Sequence, residues 1–177
     1  MGELRSAVEE LAAVDLEQLD DSALGEFVVE LSRQRDRIEA ITQRAIREHD
    51  RRQAWRAAGA CSEKLWLAQQ LRISPGQAGA RADTARRLGA LPGTEAAAVD
   101  GTIGAAQAQM AATAARDLPG DAAAGLDQLV VESGPEVDPG RLRSAVDEYA
   151  HRTRPASLAA REERAWRARR LSVSRTG

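Results

Sequence analysis

Apolar side chains at helical spacing run through Leu24, Phe27, Val28, Leu31, Ile38, Ile41, Ala45 and Ile46 towards Trp55. A stripe of roughly thirty residues at that period predicts one long helix, beyond the usual globular length. Asp20-Asp21-Ser22 offers capping side chains at its start, and Gly59 ends it. Gln34 and Arg35 interrupt the stripe. It therefore has two readings. It is either the spine of a helical bundle, or a seam in which Leu24, Val28, Leu31, Ile38 and Ile41 form an oligomer interface and pair the chain as a homodimer.

The rest of the chain fits the same fold class. Aromatic residues are 3% of the sequence, and much of its 43% hydrophobic content is alanine. Alanine favours helix and buries little area, so the core must come from closely packed helices. The expectation is an all-α helical bundle with one long N-terminal helix and helix-turn-helix-like units. Residues 1–57 form the N-terminal arm, 58–120 tandem helix-turn-helix-like units, and 121–177 C-terminal helices with a basic tail. Alternation at Leu171-Ser172-Val173-Ser174 reads as the start of a strand, so the end looks truncated rather than finished.

The lone Cys61 excludes an internal disulfide and suits a reducing compartment. No apolar run is long enough for a membrane span, and no basic-then-apolar leader is present. The expected location is cytoplasmic, with no membrane partner.

Helix boundaries are legible further along. Gly2 is followed by Leu4, Val8 and Leu11, which mark a short amphipathic helix over 3–13. Ser62 opens a helix through Leu71. Ser74-Pro75-Gly76-Gln77 forms a capping box with proline at the first helical position, and Leu91-Pro92-Gly93 breaks that helix. Asp121 to Glu132 is helical up to Ser133-Gly134-Pro135. Asp138-Pro139-Gly140 caps a helix over 141–152, and a basic helix bearing Trp166 follows over 157–170. Ile73–Leu88 also matches Ile103–Leu118 at an offset of thirty, pairing Gln77 with Gln107, Ala78 with Ala108 and Ala82 with Ala112. That offset predicts a tandem pair of short-helix/long-helix units.

Charge is segregated beneath a net −2. Residues 1–31 and 92–138 are strongly acidic, whereas 33–56, 62–91 and 141–175 are basic. Such alternation gives either a molecule with a positive and a negative face, or acidic helices docked on basic ones. Of 25 basic residues only Lys64 is a lysine. Arginine abundance of that kind also follows from a GC-rich genome, so it is weak support for nucleic acid.

Residues 63–88 fit a helix-turn-helix. Leu67 and Ala68 take the apolar and small positions of the first helix, Leu71, Ile73 and Ser74 make the turn, and Ala78 is the small contact at the crossing. Arg72 stands where glycine usually relaxes the turn, and Arg81 where a buried apolar residue is expected. Pro75, Gly76, Gly79, Ala80 and Asp83 offer little to base edges. The unit is either a bundle corner or a DNA-binding element. In the second case Lys64, Gln77, Arg81, Arg86 and Arg87, with Arg164, Arg167 and Arg170 of the tail, are the nucleic-acid contacts. No catalytic residue, metal site, cofactor or small-molecule ligand is indicated. The histidines are only His49 and His151, with His49 expected at the surface, and no Gly-rich loop follows a strand.

Trp55, Gly59, Ser62, Trp66-Leu67-Ala68, Leu71, Ser74-Pro75, Ala78, Arg81, Ala85-Arg86-Arg87-Leu88, Leu91-Pro92, Gly101 and Gln107 carry a resemblance. The chain resembles the actinobacterial domain of unknown function numbered 222, also called the thirteen-E-twelve repeat family, which commonly precedes an HNH endonuclease domain. The resemblance implies a non-catalytic DNA-targeting module of an HNH-endonuclease-like protein that contacts mainly phosphate. The paired histidines, asparagine and metal site of an HNH half are not in this sequence, so no activity carries over. The alternative is a structural or oligomerisation scaffold that binds a protein partner or a catalytic half, without nucleic acid.

Overall fold

The computed structural model of the chain describes residues 2–116 and 118–153. Among these it has eight α-helices and no strand, so the chain is all-α. The helices are α1 (Gly2–Ala12), α2 (Asp21–Arg51), α3 (Glu63–Leu71), α4 (Pro75–Leu88), α5 (Pro92–Asp100), α6 (Ala105–Ala114), α7 (Gly120–Ser133) and α8 (Pro139–Thr153). Two compact units divide between Arg35 and Asp36, within α2. The expected helix over 157–170 and the strand-like end at 171–174 lie outside the described residues. No described helix is long and apolar enough to cross a membrane.

The N-terminal unit holds α1, a 3-10 turn at Leu16–Gln18 and the start of α2. Asp15 caps the turn by accepting from the Glu17 N–H at 3.2 Å, and Asp20 accepts from the Ala23 N–H at 2.8 Å. These bonds satisfy backbone donors at the helix starts. None of the unit's described residues is buried.

The second unit contains the core. Leu67, Leu91, Ile103, Leu126, Val130, Leu142 and Val146 are fully buried, and Ala78, Ala82, Ala85, Ala98, Ala108, Ala111 and Ala112 let neighbouring helices approach closely around them. Polar anchors on α2 hold α5 and α6 against it. Asp36 accepts from the Ala105 N–H at 3.1 Å, Arg37 donates to the Val99 carbonyl at 2.9 Å, and Arg47 makes a two-pronged pair with Glu95 at 2.6 and 2.8 Å. The bond to Glu95 also raises the Arg47 pKa.

The long helix stops earlier than its apolar stripe implied, at Arg51 rather than Gly59. Gln53 turns left-handed (φ 53°) and a 3-10 turn follows over Ala54–Ala58. Trp55 thereby folds back, its ring N–H donating to Asp50 at 3.3 Å, instead of extending the stripe.

The thirty-residue offset is visible in the fold, because it maps α3 onto α5 and α4 onto α6. In the first copy Ser74 and Gln77 close the capping box reciprocally, at 3.2 and 3.0 Å. In the second the Gly104 N–H donates to Gln107 at 2.8 Å, and glycine has no side chain to return the bond. Pro92 does more than break α4, since it stands at the first position of α5. The cap of α5 comes from a distant residue that the sequence did not mark. Asp127 of α7 is buried and accepts from the Gly93 N–H, the Thr94 N–H and the Thr94 hydroxyl at 2.8, 2.7 and 2.7 Å. Removing it strands three donors at a helix start. Asp127→Ala is therefore expected to cost about 2 kcal/mol, read from the urea midpoint.

Candidate functional site

The two helices expected over 63–88 are present as α3 and α4, with Arg72 to Ser74 between them. Ser62 caps α3, accepting from the Leu65 N–H at 3.3 Å, and Ala78 is completely buried where α4 crosses α3. Leu67, Ala82 and Ala85 pack around it, and Ile46 of α2 closes the same cluster. The unit is thus seated on α2. Arg72 ends α3 with φ 53°, a left-handed conformation that glycine would take without strain.

Arg81, Arg86 and Arg87 do not share one face. Five residues separate Arg81 from Arg86, which at about 100° per residue sets them about 140° apart around the helix axis. Each also meets carboxylates. Arg81 stands 3.6 Å from Glu39, Arg86 stands 3.6 Å from Asp50 and 2.9 Å from Asp83, and Arg87 lies 3.5 Å from Asp83. These pairs lie within or between the basic stretches 33–56 and 62–91; of the pairs named, Arg47–Glu95 alone joins a basic stretch to an acidic one. Gln77 uses its side-chain oxygen in the capping box. Lys64 is exposed, lies along Gly79 of α4 and forms no ion pair with a described residue, and the same holds for the exposed Arg72. Arg164, Arg167 and Arg170 lie outside the described residues.

The candidate interface residues on α2 are all solvent-facing. Leu24, Val28, Leu31, Ile38 and Ile41 are among the exposed large hydrophobics of the chain, with Val28 and Ile41 more than half exposed. In the N-terminal unit Leu4, Val8, Leu11, Val14, Leu16 and Val29 are exposed too.

One cluster was missed by the sequence reading. His49 is not a surface residue of a charged helix; it is half-buried and its Nδ1 lies 2.6 Å from Glu63, which is itself buried. The imidazole stacks on Trp66 with ring centroids 4.0 Å apart. The second carboxylate oxygen of Glu63 has no hydrogen-bond partner among the described residues. The signal was the acid directly after Ser62 at the first position of α3, where a negative charge suits the helix start. Nearby, Arg51 and Arg52 both grip Glu48, and chiefly the Arg51 hydrogen bond lowers its pKa to about 2. Among the described residues no group of three or more His, Cys, Asp or Glu is arranged to hold a metal ion, and Cys61 is free and exposed.

The family model described as Domain of unknown function (DUF222) matches residues 26–177. No curated protein and no solved structure matches the chain.

The His49–Glu63 pair yields a thermodynamic test. His49→Ala leaves a buried carboxylate without its partner and is expected to destabilise the fold by roughly 3 kcal/mol. The double variant His49→Phe/Glu63→Leu keeps a ring on Trp66 and removes both hydrogen-bonding groups. Its urea midpoint should lie above that of His49→Ala alone.

Proposed function

The chain belongs to the family described as Domain of unknown function (DUF222), and from that premise we propose that it is a non-catalytic helical scaffold that pairs with a second copy of itself through α2. The observation that carries this is the solvent-facing apolar series Leu24, Val28, Leu31, Ile38 and Ile41. Leu24, Val28, Leu31 and Ile38 fall on the alternating steps of four and three of a two-helix seam, with Arg35 and Thr42 at its other positions and Ile41 beside it. Exposed apolar surface of this extent marks an interaction site.

Charge selects the direction of pairing. Asp20, Asp21, Glu26 and Glu30 lie at the start of α2, and Arg33, Arg35, Arg37 and Arg44 follow. A parallel pair sets acid on acid and Arg35 on Arg35. An antiparallel pair sets the acidic start of one helix against the arginines of the other. In this reading the dimer presents an HNH-type catalytic half twice.

Light scattering at micromolar concentration is expected to give twice the chain mass of 19.0 kDa. Leu31→Glu with Ile38→Glu should return the mass to 19.0 kDa without lowering helicity. A single-chain mass for the unaltered protein sinks the scaffold reading.

A second reading, a DNA-targeting module that grips phosphate, is favoured by Arg72. A cation held in a left-handed turn costs about 1 kcal/mol relative to glycine there, and strain of this kind accumulates at functional positions. Arg72 at the turn and Lys64 on α3 are exposed and form no ion pair with a described residue, and Ser74 to Gln77 at the start of α4 are exposed. Pro75, Gly76 and Ala80 present shape rather than base-edge donors.

The test is duplex binding across a salt series. Lys64→Gln with Arg72→Gly should weaken binding, reduce the log–log salt slope by about two, and raise thermal stability through the relaxed turn. The Arg81, Arg86 and Arg87 triple alanine variant should change binding less, because those side chains already face carboxylates. Unchanged affinity and slope in the first variant leave the scaffold reading alone standing.

A further inference from the structure

The N-terminal unit, Met1–Arg35, does not hold itself together by burial. None of its described residues is buried, and α1 does not pack along α2. A unit of fewer than about 40 residues ordinarily needs a disulfide, a metal or a partner chain, and a lone helix shorter than about 12–15 residues is marginal in water. What α1 offers a partner is an apolar face on an acidic helix. Leu4, Val8 and Leu11 follow one another at steps of four and three, and all are exposed. The segment from Glu3 to Asp21 carries seven acids against Arg5 alone. Glu3, Glu9 and Glu10 form no ion pair with a described residue.

A matching face lies on the second half of α2. Ile38, Ile41 and Ala45 recur at steps of three and four, and all are exposed. Both ladders span seven residues, about 10 Å of helix. Ile41 lies beside the α2 seam rather than on it, so a two-helix pair covers it poorly. Arg44, next to it, is exposed and forms no ion pair with a described residue.

The register brings the two faces together. An antiparallel α2 pair that sets Val28 on Ile38 and Leu24 on Thr42 also sets Asp21 of one copy beside the partner's Ala45. The chain enters α2 at that point, from α1 through the capped turn at Leu16–Gln18. Along its own α2, α1 would meet Asp20, Asp21, Glu26 and Glu30, which repel its carboxylates. We propose that α1 of each copy crosses to the second half of α2 of the other, laying Leu4, Val8 and Leu11 on Ile38, Ile41 and Ala45, with its carboxylates towards Arg44. The two crossings close a four-helix module around the α2 pair. This inference rests on the scaffold reading and adds to it the partner of α1.

Light scattering on the full chain over a concentration series reads the dimer dissociation constant. Val8→Asp with Leu11→Asp alters side chains that are exposed in the single chain, so helicity should hold while the constant rises at least about tenfold. A second measurement uses two differently tagged chains, both Cys61→Ser, one with Val8→Cys and one with Ile41→Cys. After mixing and mild oxidation, the mixed disulfide-linked dimer is expected to exceed either same-variant dimer. An unaltered chain that dimerises, together with an aspartate variant that dimerises as tightly, overturns the crossing and leaves the scaffold reading standing. Mixed dimers no more abundant than same-variant ones do the same. A single-chain mass for the unaltered protein overturns both.

Discussion

Close approach of helices through alanine sets the terms for the second unit. Where α4 crosses α3, Ala78, Ala82 and Ala85 cluster with Leu67, and α6 brings Ala108, Ala111 and Ala112 into the other cluster with Ala40 and Leu88. Each alanine buries little apolar area, so burial alone supplies less stability per residue than in a leucine-rich bundle. Alanine does bring backbones and long polar side chains within reach across the gap. That proximity lets Asp36 cap α6, Arg37 reach the Val99 carbonyl and Arg47 close on Glu95. In an interior of this kind, specificity comes from hydrogen-bonded anchors on α2, and bulk comes from a few large residues such as Leu67, Leu126 and Leu142.

The same geometry explains the arginines. A chain with one lysine among 25 basic residues suggests an electropositive surface, yet Arg47, Arg81, Arg86 and Arg87 all face carboxylates within 3.6 Å. Arg47 is the one whose pairing carries weight, because its two-pronged contact is partly buried. The pairs on Arg86 are exposed and contribute little to stability. Among the described residues, Lys64 and Arg72 of α3 and its turn form no ion pair, and neither do Arg44 of α2 or Arg141 and Arg143 of α8.

Much of this was readable from the chain. Ser74, Pro75 and Gln77 fixed the start of α4 because capping is a local interaction among neighbouring residues, and the boundary is where they place it. The thirty-residue repeat survived because paired Gln77 and Gln107 serve the same capping role. The missed features depend on residues distant in sequence. Asp127 caps a helix 33 residues away, which no local pattern announces. His49 finds Glu63 only because α2 ends at Arg51 and the chain folds back. Periodicity ran past that end because Trp55 continued the apolar spacing while serving Asp50 instead.

Among the described residues, the buried atoms Gln43 Oε1 and Glu63 Oε1 have no hydrogen-bond partner, and the two residues line different openings beside α4. Gln43 lines a cavity beneath Arg81; Glu63 lines a crevice with Lys64, Gly79 and Asp83. In each case one atom of the group is tied, to Glu39 or to His49, and the other is not. At about 1–3 kcal/mol apiece, such atoms are a large fraction of a net stability of roughly 5–15 kcal/mol. A bundle selected for stability alone would carry leucine or methionine at both positions. The α3–α4 pair thus packs closely at Ala78, while a buried polar atom on each flank of α4 has no hydrogen-bond partner among the described residues.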